Sequence, residues 1–133
     1  MNTKVRTAVV LLQLGGPDNL DAVQPFLYNH FSDKESLSSP WPFRHFTAKK
    51  LARKAAPELL PVYDRFGGGT PLIPQAEAQA KTLERRLRSL GFDCPVRIAM
   101  KAWHPFISDV VQDLVEQGVT RIVALPLYPP KSQ

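Results

Sequence analysis

Residues Thr7 to Leu14, TAVVLLQL, form an apolar run closed by Gly15, Gly16 and Pro17. A near-continuous apolar run suits a strand covered on both faces, and both faces are covered when parallel strands are crossed over by helices. The pattern returns twice. Pro95 to Met100 reads as a second short strand, Asp109 to Gln117 as a helix ended by Gly118, and Val119 to Leu127 as a third strand. Strands alternating with helices imply parallel strands joined by right-handed crossovers, so an α/β fold is expected. A length of 133 residues with 44% hydrophobic content suits one globular domain over residues 1–133.

Between the first two strands the helical signals are uneven. Asp18 or Asn19 can cap a helix in which Val23, Phe26, Leu27 and Phe31 recur at helical spacing, with Pro25 in its first turns and an end near Asp33. The segment from Ser32 to Pro42 is rich in Ser and Pro and carries an aromatic tip, Trp41 and Phe43, for which burial in the core is expected over a partner or a membrane surface. Two short helices follow, His45 to Ala56 with its basic residues Lys49, Lys50, Arg53 and Lys54, and Pro57 to Phe66. A longer amphipathic helix is expected from Pro71 to Leu90, with an inner stripe of Ala76, Ala80, Leu83, Leu87 and Leu90 and a stop at Gly91.

The stretch from Tyr63 to Gln75 joins these helices through Gly67, Gly68 and Gly69. Three residues without a Cβ turn the chain tightly and admit a close partner, while Thr70 before Pro71 reads as N-cap and first helical position. Two readings are open: a loop that only connects two helices, or one whose amides receive a carboxylate or phosphate.

In an open parallel sheet, ligands bind beyond the carboxyl ends of the strands. Leu14 follows the first strand, Lys101 to Pro105 the second, and Tyr128 to Ser132 the third. The resulting pocket is partly apolar (Leu14, Trp103, Tyr128) with a cation at Lys101 and hydroxyls at Thr70 and Ser132. A flat, hydrophobic ligand bearing carboxylates suits it.

A net charge of +5 and a pI near 9.6 favour an anionic partner or surface. The cations are interspersed with acids, so nucleic acid is not expected. Single Cys94 rules out an intrachain disulfide framework, His30 and His45 have no partner acid at metal-ligand spacing and His104 before Pro105 reads as a helix-entry residue, so no metal site is expected. Dinucleotide, phosphoryl-transfer, hydrolase and dithiol signatures are absent. With no apolar leader and no membrane-spanning run, the expected location is cytoplasmic, with peripheral contact at the inner membrane face as a further expectation.

Taken together, Leu11 to Asp18 (LLQLGGPD), Val23 to Leu27 (VQPFL), the Tyr63 to Gln75 stretch, Trp103 to Phe106 (WHPF) and Leu125 to Ser132 (LPLYPPKS) resemble, in order and spacing, the first half of a ferrochelatase. The resemblance implies a chelatase-like, flavodoxin-like three-layer αβα domain with a parallel sheet, one of two similar domains with the porphyrin between them. Carried over by position, it nominates Leu14, Tyr63, Thr70, Lys101, Tyr128 and Ser132 as porphyrin-lining residues. Lys101 and Ala102 stand where the family most often has Arg-Tyr, and Ala55 where an Arg is common. A weaker or water-mediated grip on propionates is therefore expected. Leu14 in place of a Tyr favours protoporphyrin over coproporphyrin. The resemblance also implies that the metal-inserting His and its acid lie in a second domain missing from this chain. The chain then holds no catalytic residue, metal ligand or tightly bound cofactor, its substrates being porphyrin and ferrous iron, and is inactive by itself. A free-standing porphyrin-binding or regulatory module and a flavodoxin-like interaction domain are the alternatives.

Overall fold

β1 (Thr7–Gln13) is the middle strand of a parallel sheet with order β2-β1-β3, where β2 is Val96–Met100 and β3 is Arg121–Pro126. The computed structural model describes residues 4–128. Gln13 is paired with Met100 on one side of β1 and Leu12 with Pro126 on the other. The helices are α1 (Val23–Ser32), α2 (Trp41–Arg65), α3 (Leu72–Ser89) and α4 (Ile107–Glu116).

The chain divides into two compact units, one of Met1–Leu14 with Pro74–Gln133 and one of Gly15–Ile73. In the first, the alternation of side chains along each strand sends Ala8, Val10 and Ala99 to one face, where they pack with Val110 and Leu114 of α4 and with Val119. Leu12 and Ile122 close the edges of this core. The step from β1 to β2 runs opposite to the step from β2 to β3, so right-handed crossovers place α3 and α4 on opposite faces. Glu84 on α3 accepts a 2.9 Å hydrogen bond from the Val96 amide, tying that helix to the start of β2.

α3 stops by a Schellman turn: the Phe92 amide donates to Leu87 O, the Gly91 amide to Arg88 O, and Gly91 takes φ 88°. Leu90, expected on the inner stripe, falls in this turn outside the helix and is 57% exposed. Ala76 and Ala80 of the stripe are buried, and Leu83 and Leu87 half-buried. β3 starts two residues later than expected, and apart from half-buried Ile122 its residues are exposed, because it is an edge strand.

In the second unit α1 packs on α2. Asn19 caps a short 3-10 turn, Leu20–Ala22, by accepting from the Ala22 amide, and α1 follows with Pro25 in its first turn, where no intrahelical amide is needed. Ala48, Ala52 and Ala56, four apart, form the buried face of α2, small enough for close approach. Two expectations fail here. The pair of short helices is one 25-residue helix that runs through Pro57 and Pro61. Both prolines lie on the exposed side, where solvent can take the carbonyls left without a donor, while the alanine face keeps the helix packed. The aromatic tip is also not core: Trp41 and Phe43 are 73% and 68% exposed. They open α2 ahead of its alanine face, and Phe43 points to the opposite side of the helix.

Leu114 is fully buried at the centre of the α4 packing. Leu114→Ala is expected to lower the unfolding free energy by about 2–5 kcal/mol, measured by urea titration.

Candidate functional site

The carboxyl ends of all three strands are held together by backbone hydrogen bonds. After β2, the amides of Lys101 and Ala102 donate to Gln13 O and Leu14 O, each at 2.9 Å, and after β3 the Leu127 amide donates to Leu12 O at 2.9 Å. β1 thus sets the position of both neighbours' exits, and Leu14, Lys101 and Tyr128 emerge at the same end of one sheet. Leu14 is 39% and Tyr128 46% exposed, and the Lys101 side chain is exposed as well. Ala102 is buried, so the position next to Lys101 serves packing. Leu127, not singled out from the sequence, belongs to the same rim; its place beside Leu12 signals it only once the strand register is known.

The loop beyond Lys101 folds back, with the Met100 amide donating to Pro105 O at 2.7 Å. Within it the exposed His104 ring lies 5.2 Å from Trp103 and 4.5 Å from Phe106. His30 stacks near Phe26, and His45 is hydrogen bonded to Tyr28. Among the described residues no group of three or more His, Cys, Asp or Glu side chains is placed to hold a metal ion.

In the unit of residues 15–73, the glycine loop performs two separate tasks. The Gly68 amide donates to Tyr63 O and the Gly67 amide to Asp64 O, ending α2 by a second Schellman turn with Gly67 at φ 86° and Gly68 at φ 96°. Gly69 and Gly16 serve close approach. A Cβ on Gly69 would stand 2.6 Å from Asp18 O, and one on Gly16 2.8 Å from Thr70 Cγ2. The Thr70 amide donates to Pro17 O at 2.8 Å, and Thr70 Oγ1 accepts from the Leu72 amide at 3.2 Å just ahead of α3, which starts at Leu72 and not, as expected, at Pro71. The amides of Gly67, Gly68, Thr70 and Leu72 are therefore engaged inside the unit, and the anion-receiving reading of this loop loses those four donors.

Tyr63, in the last turns of α2, is half-buried, and this burial raises its phenol pKa above the ordinary value of 10.0. The uncharged phenol is the form present at neutral pH. Ser132 lies outside the described residues.

A family model described as Ferrochelatase matches residues 6–133. The chain belongs to the ferrochelatase family. It is 45% identical over 125 residues to the ferrochelatase of Synechococcus sp. (strain JA-3-3Ab), a match covering 93% of this chain and 37% of that protein. The ferrochelatase of Aquifex aeolicus (strain VF5) is 40% identical over 129 residues, covering 97% of this chain and 40% of that protein. That of Geotalea uraniireducens (strain Rf4) is 42% identical over 125 residues, covering 93% and 38%. The chain thus spans under half the length of these relatives.

Two outcomes check the geometry of the ferrochelatase glycine loop. Gly69→Ala is expected to cost about 1–3 kcal/mol of stability in a denaturant titration, because backbone on both sides must move. Tyr63, with its raised folded-state pKa, adds stability that is complete below the unfolded value of 10.0 and is lost as pH rises through the folded value. Thermal melts of Tyr63→Phe are therefore expected to fall less steeply than the parent's in the alkaline range.

Proposed function

We propose that this chain forms one wall of the porphyrin cleft of a ferrochelatase, an enzyme that inserts ferrous iron into protoporphyrin IX to make protohaem. The observation that carries the reading is the emergence of Leu14, Lys101 and Tyr128 at the carboxyl end of one parallel sheet, in a chain whose family membership rests on nearly its whole length. A tetrapyrrole is flat and apolar with carboxylates at its edge. Leu14 and Tyr128 border the macrocycle, and the Lys101 ammonium meets a propionate as a point charge without the two-pronged grip of a guanidinium. Tyr63, Thr70 and Ser132 are nominated as porphyrin-lining by the family resemblance alone. Leu14 offers no oxygen to the metal, in keeping with protoporphyrin as the substrate.

Metal insertion needs a base for the pyrrole protons and a route for the iron. We assign both to the part of the ferrochelatases that these residues do not match, so the wall binds and orients porphyrin while proton removal occurs across the cleft. Porphyrin and ferrous iron are substrates, and the chain retains no cofactor. We propose a cytoplasmic location for the reaction.

Two measurements test this. Fluorescence-quenching titration with protoporphyrin IX is expected to show binding about ten-fold weaker or more for Lys101→Ala, since a hydrogen bond to a charged group contributes about 1.5–3 kcal/mol, and equal or tighter binding for Lys101→Arg. Parent-like binding by Lys101→Ala at low salt would remove Lys101 from the site. The chain alone is expected to give no iron- or zinc-dependent loss of free porphyrin absorbance; turnover above a protein-free control would show that proton removal does not need the unmatched part.

A further inference from the structure

At the amino end of the sheet, opposite to the rim of Leu14, Lys101 and Tyr128, a cleft of about 720 Å³ opens on the α3 side. Its origin is topological. Ala8 and Val10 pack toward α4, so Thr7 and Val9 point to the other face, and their register partners Arg121 and Val123 point there with them. α3, tied to β2 through Glu84, leaves edge strand β3 open on that face, where Val123 is exposed. Val9 and Val123 form the floor of the cleft. Leu87, in the last turn of α3, and the exposed Phe92, in the turn that stops it, form a wall.

The cleft is charged at one end and apolar beyond it. Lys4, Arg6 and Arg121 stand at the starts of β1 and β3, while Val9 and Val123 lie two or more residues further along, about 6–7 Å deeper measured from Arg121. Among the described lining residues the one acid is Asp93. Two of the cations are held in place: Arg121 Nε donates to Thr7 Oγ1 at 2.9 Å, and Arg6 Nη1 donates to Gln117 O. A guanidinium fixed through one donor presents the rest as a planar fork that matches phosphate oxygens in pairs. Three cations against one acid suit a dianionic head better than a single carboxylate. The apolar floor is one rung across two strands, which lie about 4.8 Å apart, so it takes an alkyl chain or a small ring system and is too narrow for a macrocycle lying flat.

We propose that this cleft binds an organic phosphate monoester with a narrow apolar body, its phosphate held by Arg6, Arg121 and Lys4 and its body lying on Val9 and Val123 beside Phe92. Every lining residue belongs to the unit that contains the sheet. The site lies at the far end of the strands from the porphyrin wall, so it goes beyond that reading and does not depend on it. The cations supply selection for the charged head and the valine floor supplies selection for an apolar body, which inorganic phosphate lacks.

Cys94, the single cysteine of the chain, lines the cleft half-buried and reports its occupancy. Alkylation of Cys94 by iodoacetamide, followed by mass spectrometry, is expected to slow when naphthyl phosphate is added. Equal concentrations of inorganic phosphate, which has no apolar body, or of naphthol, which has no charge, are expected to leave the rate unchanged. Arg121→Gln is expected to raise the naphthyl phosphate concentration for half protection about ten-fold, as loss of a hydrogen bond to a charged group requires, and Arg121→Lys to raise it less. Val123→Asp, which sets a carboxylate in the floor, is expected to abolish protection. Both positions are exposed, and an unchanged circular dichroism spectrum verifies that the fold is kept. Protection by inorganic phosphate equal to that by naphthyl phosphate would make the cleft a plain anion site, and equal protection by naphthol a plain apolar one. Either result overturns the proposal, as does no protection by naphthyl phosphate or an unchanged half-protection concentration in Arg121→Gln.

Discussion

The pairing of β1 with a parallel strand on each side is the interaction on which the candidate site depends. Because side chains alternate at every residue, a slip of one position in either ladder would turn Ala8 and Val10 away from α4 and change which residues leave the sheet at its carboxyl end. The observed register ends with Gln13 opposite Met100 and Leu12 opposite Pro126. Lys101, Ala102 and Leu127 then find their acceptors on the exit of β1. The rim is thus a consequence of core packing: burial of Leu114, Val110 and Ala99 on one face selects the register, and the register delivers Leu14, Lys101 and Tyr128 together.

A different constraint governs residues 15–73, where the absence of side-chain bulk is decisive. Gly16 and Gly69 allow the loop before α3 to lie against the backbone that follows β1, and the alanines of α2 allow α1 to pack on it. Gly67 and Gly68 adopt backbone angles that L side chains seldom take, and so let α2 end after Arg65 with the carbonyls of Tyr63 and Asp64 satisfied. The glycine-rich stretch resembles an anion-binding loop in sequence, yet its contacts are mostly structural, since the close approaches satisfy the same amides that an anion would need.

How far this architecture is legible in the sequence follows from which signals are local. The apolar runs locate β1 and β2 to within a residue. Gly91 marks the end of α3 because its turn is closed within a few residues, and Thr70 lies two residues before its start. The continuity of α2 through Pro57 and Pro61 is not local, because it depends on which side of the helix faces α1, and proline by itself argues for a break. The exposure of Phe43 is hidden for a similar reason: an aromatic residue signals burial only when the helical face it occupies is known, and that face is set by alanines five to thirteen residues away, while Trp41 is exposed because it opens the helix ahead of them. Leu90 has the spacing of the α3 stripe but falls in the stopping turn. At the candidate site, Leu14, Lys101 and Tyr128 are foreseeable from strand ends alone, whereas Leu127 requires the register. Tyr63 owes its nomination to resemblance, whereas Thr70 is named from the glycine loop as well, and the structure gives both residues backbone duties in that loop.

If the rim is the binding wall, porphyrin lies against the carboxyl end of the sheet. Amide chemical-shift mapping on the isotopically labelled chain, with protoporphyrin IX added stepwise, tests it most directly. The ring current of the macrocycle should move the amides of Leu14, Lys101, Ala102, Leu127 and Tyr128 first and furthest. Shifts concentrated instead at the opposite end of the sheet, at Val5, Cys94 and Gly118, or in the groove lined by Gln24, Tyr28 and Lys49, would contradict it.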